Sequence, residues 1–176
     1  MFVNPKQIVS ALAITPGLKV ADLGAGIGAF SIPIAERVGE AGKVYAVEVQ
    51  SNIAQRLKEE TKRKHLDNVE VIVGNIETLR GTKIADKIVD LVVLANVLFQ
   101  VEDKDGCLSE IARILKPNGK VLILDWTDSF LGMGPRPEYI ISPEKARNLF
   151  ESKGYKFVDK VSAGEHHYGI IFTYEK

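Results

Sequence analysis

Short apolar runs recur along this 176-residue chain, each followed by a stretch with helical spacing, and several of the runs are apolar on both faces. Val89, Leu91, Val92, Val93 and Leu94 are nearly continuous, and so are Val20, Ala21 and Leu23. A strand that buries one face alternates; one that buries both does not, and it belongs to a parallel sheet covered by helices on either side. The runs predict strands at 19–23, 43–48, 69–73, 87–95 and 120–126, and a closing pair at 156–161 and 167–174. Helices are expected from the Asn4-Pro5 cap onward, at about 29–38, after a Ser51 cap, at 104–115, and from Ser142-Pro143-Glu144 to Gly154. Lys116-Pro117-Asn118-Gly119 reads as a turn, and residues 127–141, with Gly132, Gly134, Pro135 and Pro137, as an irregular loop. Strands and helices in alternation, closed by a hairpin, define an α/β doubly wound sheet forming a single domain over residues 1–176.

Composition narrows the class further. With 45% hydrophobic and 26% charged residues the chain has the balance of a globular protein. At this length a fold buries roughly 70% of its unfolded surface and needs no disulfide or metal. Lys plus Arg and Asp plus Glu both number 23, which argues against the broad basic face that nucleic-acid binding requires. The basic stretch at 56–65 is interleaved with Glu59 and Glu60 and reads as a solvated helix face. Cys107 is the only cysteine, so a reducing compartment and a cytoplasmic location are expected. No apolar run approaches the ~20 residues that span a bilayer. His166 and His167 point to opposite faces of one strand and His65 is far away in sequence, so no metal site is expected.

The chemistry is concentrated in Asp22-Leu23-Gly24-Ala25-Gly26-Ile27-Gly28, which follows the first strand and precedes a helix. Glycines let backbone approach a ligand closely, and in open α/β sheets ligands sit at the carboxyl ends of the strands. Gly24-x-Gly26-x-x-Ala29 followed by Glu48 loosely satisfies a dinucleotide fingerprint. Asp22 argues against it, because a carboxylate at the mouth of the loop repels a pyrophosphate but suits a ligand bearing an ammonium and a sulfonium.

These residues resemble the class I S-adenosylmethionine-dependent methyltransferases, over almost the whole chain. Residues 22–28 are similar to that family's first motif and Val47-Glu48-Val49 to its second, where the acid binds the ribose hydroxyls and the next residue packs on adenine. Val73-Gly74-Asn75-Ile76-Glu77 is similar to the third, with Asn75 where Asp is usual. Residues 90–100, including Asn96, match the fourth, and residues 115–121 the fifth. The resemblance implies a Rossmann-like seven-stranded sheet in the order 3-2-1-4-5-7-6 with strand 7 antiparallel and helices on both faces. It also implies S-adenosyl-L-methionine as cofactor, S-adenosyl-L-homocysteine as product, and Asp22, Gly24, Ala25, Gly26, Gly28, Glu48, Val49, Asn75, Ile76 and Asn96 as cofactor-binding residues. Within the family, residues 98–103 and 111–119 look most like the small-molecule branch, which includes the quinone-biosynthesis C-methyltransferases; the chain is shorter at its N-terminus than typical members. Arsenite methylation, in the same branch, needs several thiols. Methylation of RNA or protein, and a cofactor-binding partner subunit without activity of its own, are the alternatives.

A small-molecule acceptor is expected to meet four segments at the carboxyl edge: the N-terminus around Phe2, residues 96–100, the loop 127–141, and the start of the last strand. Phe99, Trp126 and Tyr139 would supply apolar walls. His167 is the candidate general base, since its unperturbed pKa suits proton transfer near neutrality.

Overall fold

The apolar runs become β1 (Lys19–Leu23), β2 (Lys43–Glu48), β3 (Val69–Val73), β4 (Val89–Ala95), β5 (Leu115–Trp126), β6 (Tyr155–Val161) and β7 (His167–Tyr174). In the computed structural model, which describes residues 3–175, they form one sheet in the order β3-β2-β1-β4-β5-β7-β6. All neighbours are parallel except β7, which runs antiparallel to β5 and β6. Order and direction agree with expectation.

Helices α1 (Pro5–Ala11), α2 (Ser31–Val38) and α3 (Ser51–Arg63) cover one face; α4 (Lys104–Ile114) and α5 (Pro143–Ser152) cover the other. The two faces are read off alternate residues of the central strands. Val20, Leu91, Val93, Leu122 and Leu124 pack with Ile8, Ile34 and Val38. Ala21, Val92, Leu94, Val121 and Ile123 pack with Leu108, Ile111 and Phe150. Double-sided burial is therefore real, and it accounts for the unbroken apolar runs.

Several boundaries differ from expectation by a residue or two, and four of the differences have a local reason. α1 stops at Ala11 because Leu12 turns extended. α2 begins at Ser31, after Gly28 takes a left-handed φ of +91°. Ser51 is the first helical residue of α3 rather than its cap; Gln50 holds the cap position, its N–H donated to Glu48. Finally, β5 starts at Leu115 and runs through Pro117 and Asn118, because Leu115 pairs with Val89 and the ladder shifts register before Leu91 meets Lys120.

No helix fills the β3–β4 connection. Glu110, fully buried on α4, holds that loop instead. Its carboxylate accepts the Arg80 N–H at 2.8 Å, the Thr82 N–H at 3.1 Å and the Thr82 hydroxyl at 2.6 Å, and it pairs with Arg113 at 2.7 Å. Burial pushes the Glu110 pKa up, but these hydrogen bonds from Arg113, Thr82 and two backbone amides outweigh it and hold the group down at about 2.

Candidate active site

The order in which successive strands are added to the sheet reverses between the parallel neighbours β1 and β4, and a cleft of about 360 Å³ opens there at the carboxyl ends of β1, β2, β3 and β4. Gly24 and Gly26 form one wall, Glu48 and Val49 the floor, Asn75 and Ile76 the far side, and Asn96 closes it toward β4. Gln50 and Ile53 also line it and belong to no motif in the sequence, while Glu77, Val97 and Gln100 come from the stretches similar to the third and fourth motifs. A larger cleft of about 630 Å³ lies at the opposite edge, between α1 and the starts of β4 and β5. It lacks the glycine loop and the buried acid, so chemistry rather than size selects the smaller cleft.

Glu48 organises the site. It is buried, and its two oxygens each accept one backbone amide, Gly26 at 3.0 Å and Gln50 at 2.9 Å. The acid at the end of β2 thus ties the glycine loop to the start of α3, and each oxygen keeps lone-pair capacity for a ligand hydroxyl. Beside it the Val49 side chain is 63% exposed, an apolar surface offered to the cleft. Gly26, at φ +53°, has open space where a Cβ would stand; at Gly24 a Cβ would lie 2.4 Å from Val97 Cγ2. The loop therefore needs glycine at Gly24 for packing on the post-β4 segment and at Gly26 for access to the cleft.

Three expected cofactor residues do not line the cleft. Asp22 is 3% exposed and turned under the loop toward α2, where its carboxylate accepts the Ser31 hydroxyl at 2.6 Å; burial pushes its pKa up to about 6. Ala25 packs with Ala46 and Leu57, and Gly28 sits against Leu57. They shape the loop from beneath. Asn75 does line the cleft, but its side-chain oxygen already caps the Glu77 N–H at 2.9 Å. Asn96 takes a left-handed φ of +58° at the end of β4, and its buried side-chain oxygen has no hydrogen-bond partner. A buried acceptor left open at a cleft wall fits a donor group on a ligand.

The acceptor-side residues lie on the neighbouring strands, and none of Phe99, Trp126, Tyr139 and His167 lines the cleft. Trp126 and His167 pair across β5 and β7 at the same carboxyl edge, their rings 4.0 Å apart. His167 is 6% exposed and neither ring nitrogen has a hydrogen-bond partner. Burial lowers its pKa, so the imidazole is neutral at pH 7. Tyr139 stands exposed on a short 3-10 turn. Phe99 is half-buried, and its N–H donates to Asp125 at 3.1 Å. Phe2 lies outside the described residues.

Asp125 was not singled out by sequence, although it stands at the end of β5. It is buried, accepts the N–H groups of Phe99 and Trp126, and so fastens the post-β4 turn to β5; burial pushes it up to about 6. Cys107 is buried on α4 and burial pushes its thiol up to about 12, which leaves it unreactive. Among the described residues no group of His, Cys, Asp or Glu could hold a metal ion, and no helix is long and apolar enough to cross a membrane.

A Rossmann-like sheet with an acid after β2, a glycine loop after β1 and a cleft across the switch point defines a class of nucleoside-cofactor-binding α/β proteins. Within that class, residues 14–162 match the methyltransferase domain family, and the chain belongs to it. It is 28% identical over 156 residues to the ubiquinone/menaquinone biosynthesis C-methyltransferase UbiE of Shewanella piezotolerans, covering 88% of this chain and 56% of that protein. It is 30% identical over 154 residues to the demethylmenaquinone methyltransferase of Bacillus cereus, covering 86% and 63%. The chain thus spans little more than half the length of these relatives. Among solved structures, a SAM-dependent methyltransferase from Aquifex aeolicus superposes with a TM-score of 0.89 at 26% identity, over 98% of this chain and 90% of that one.

Proposed function

We propose that this chain is an S-adenosylmethionine-dependent methyltransferase whose acceptor is a small molecule of the kind met in quinone biosynthesis. The observation that carries it is the cleft: a preorganised Glu48 carboxylate, an exposed Val49, an open Gly26 and an unpartnered Asn96 oxygen meet in one place. The names of the relatives support the acceptor class. Bound there, the cofactor supplies a methyl group already activated by a sulfonium.

The chain's residues bind and orient. Glu48 would accept from the ribose hydroxyls, Val49 and Ile76 would offer apolar surface to the base, and the remaining lone pair of the Asn75 oxygen would accept from its amino group. Asn96 accepts from the ammonium end, a role that Asp22, sealed under the loop, does not fill. The backbone at Gly24 and Gly26 lets the chain pass close to the ligand. Holding an acceptor atom at ~3–3.5 Å in line with the methyl is then the main catalytic task. His167, neutral and unpartnered beside Trp126, accepts a proton from an acceptor that arrives protonated. This reading includes a cytoplasmic location and one domain over residues 1–176, without strong nucleic-acid binding, consistent with equal numbers of acids and bases.

Calorimetry with S-adenosylhomocysteine and with NAD tests the cofactor. Binding of the first and not the second is expected; the reverse overturns the assignment. Transfer of labelled methyl to a demethylmenaquinone analogue, but not to bulk RNA or protein, tests the acceptor class.

A further inference from the structure

The loop after β5 carries a feature that the methyl-transfer reading does not use. Phe130-Leu131-Gly132-Met133 closes on itself, the N–H and C=O of Phe130 and Met133 pairing at 3.1 and 2.9 Å. Both central residues have positive φ, +49° at Leu131 and +75° at Gly132, the pattern of a type I′ turn. That turn favours Asn-Gly; a leucine in the left-handed region is strained. Its side chain is nevertheless the most exposed large apolar group described, at 82%, and Met133, which closes the turn, is also exposed.

The turn cannot fold its apolar tip back onto the protein. A Cβ on Gly134 would stand 2.8 Å from the Trp126 ring, so the returning strand lies flat against it. Ser129 hydrogen-bonds the Pro135 carbonyl, and the Phe130 ring stacks on His166 at 4.2 Å, itself held by Asp128. The base is braced and the tip projects.

We propose that this tip docks the protein on a lipid bilayer surface, with Leu131 and Met133 entering the acyl boundary. Three observations favour lipid over a protein partner. The cross-strand backbone groups of Phe130 and Met133 are already paired, which lowers the cost of a shallow entry by the side chains. A tip of a few side chains is far smaller than the ~800 Å² per partner of a stable protein interface. Arg136 follows Pro135 at the base of the hairpin, is exposed and is in no ion pair among the described residues, and a basic side chain there suits headgroup level. Trp126 and His167, at the base of the hairpin, would then face the membrane surface, from which an apolar acceptor can be drawn.

Sedimentation with sucrose-loaded vesicles, of phosphatidylcholine alone and with phosphatidylglycerol added, tests this on the full chain. The unaltered protein should partition onto both and more strongly onto the anionic ones. Leu131→Asn combined with Met133→Ser should lower partitioning by about 10–100-fold. Because Asn-Gly suits this turn, Leu131→Asn alone should leave Tm unchanged or raised, which separates lost docking from lost folding. Arg136→Gln should remove only the preference for anionic vesicles. Absence of the unaltered protein from both vesicle pellets, or equal partitioning of the double variant, overturns the proposal, as does self-association that the same double variant abolishes. Affinity for S-adenosylhomocysteine, measured on the same samples, reports separately on the methyltransferase reading.

Discussion

Replacing Glu48 by Ala tests the centre of the site, because this side chain has two partners without ligand and a further task with one. In the ligand-free chain the substitution releases the N–H groups of Gly26 and Gln50, held at 3.0 and 2.9 Å. Both lie at the mouth of an open cleft where water can replace the carboxylate, so the stability cost is about 1–2 kcal/mol, roughly 2–8 °C in Tm for a chain of this size. With a ribose bound, two charge-assisted hydrogen bonds are lost, each worth ~1.5–3 kcal/mol when fully desolvated. Water entry into the half-open cleft reduces that sum to ~2–3 kcal/mol, and Kd for S-adenosylhomocysteine should rise by ~30–200-fold. Calorimetry measures it. Glu48→Gln, which keeps one acceptor and the shape, should fall between the two. An unchanged Kd in the Ala variant, with Tm as expected, would mean that Glu48 only fastens the glycine loop and that the ligand binds elsewhere.

Gly26→Ala places a methyl in open cleft space at a left-handed position; it should cost about 1 kcal/mol of stability while weakening the cofactor at least ~10-fold by calorimetry. Glu110→Gln removes the charge that holds Arg113 and the β3–β4 loop, and urea titration should show a loss of about 3 kcal/mol, disappearing as pH falls from 4.5 toward 2. If His167 is the base, the rate of the His167→Gln variant should drop by ~10²–10⁴-fold with KM little changed. In the unaltered enzyme, activity should decline only as pH falls below 6.5, since burial has lowered the His167 pKa. Asp22 and Asp125, each pushed up to about 6, hold protons in the folded chain that the unfolded chain has released. Stability should therefore fall as pH rises from about 4 to 6, and Asp22→Asn should remove ~2–3 kcal/mol of that decline in denaturant titrations at pH 4.5 and 7.

The sheet was legible because its signal is one-dimensional. Residues buried on both faces must be apolar in succession, as at Val92, Val93 and Leu94, and no other common architecture demands that. The glycine loop was legible for a related reason, since backbone contact with a ligand restricts residue type at consecutive positions. Glu48 belonged to the same window. What sequence could not supply was the direction of a side chain at a fixed position. Asp22 and Glu48 are both acids at strand ends beside the loop, yet one turns beneath it to Ser31 and the other up to Gly26. The parity of β1 decides this for Asp22, placing it on the α2 face with Val20.

The residues expected around an acceptor were less legible, because they lie far apart in the chain and the contacts found among them leave no local pattern. Asp125 is the clearest instance. Its role depends on the Phe99 N–H, 26 residues earlier, and nothing in the intervening sequence marks the pair. The same hydrogen bond links the cleft to the end of β5. Asn96 follows β4 in the cleft lining, Phe99 comes three residues later on a single 3-10 turn, and Asp125 fastens that turn to the strand bearing Trp126. Trp126 in turn supports both His167 and the hairpin that presents Leu131. The cleft, His167 and the projecting tip are thus linked through one buried carboxylate. A substitution at Asp125 should disturb all three together, whereas substitutions at Glu48, His167 or Leu131 should each disturb one, and that contrast is what separates a shared scaffold from three unrelated features.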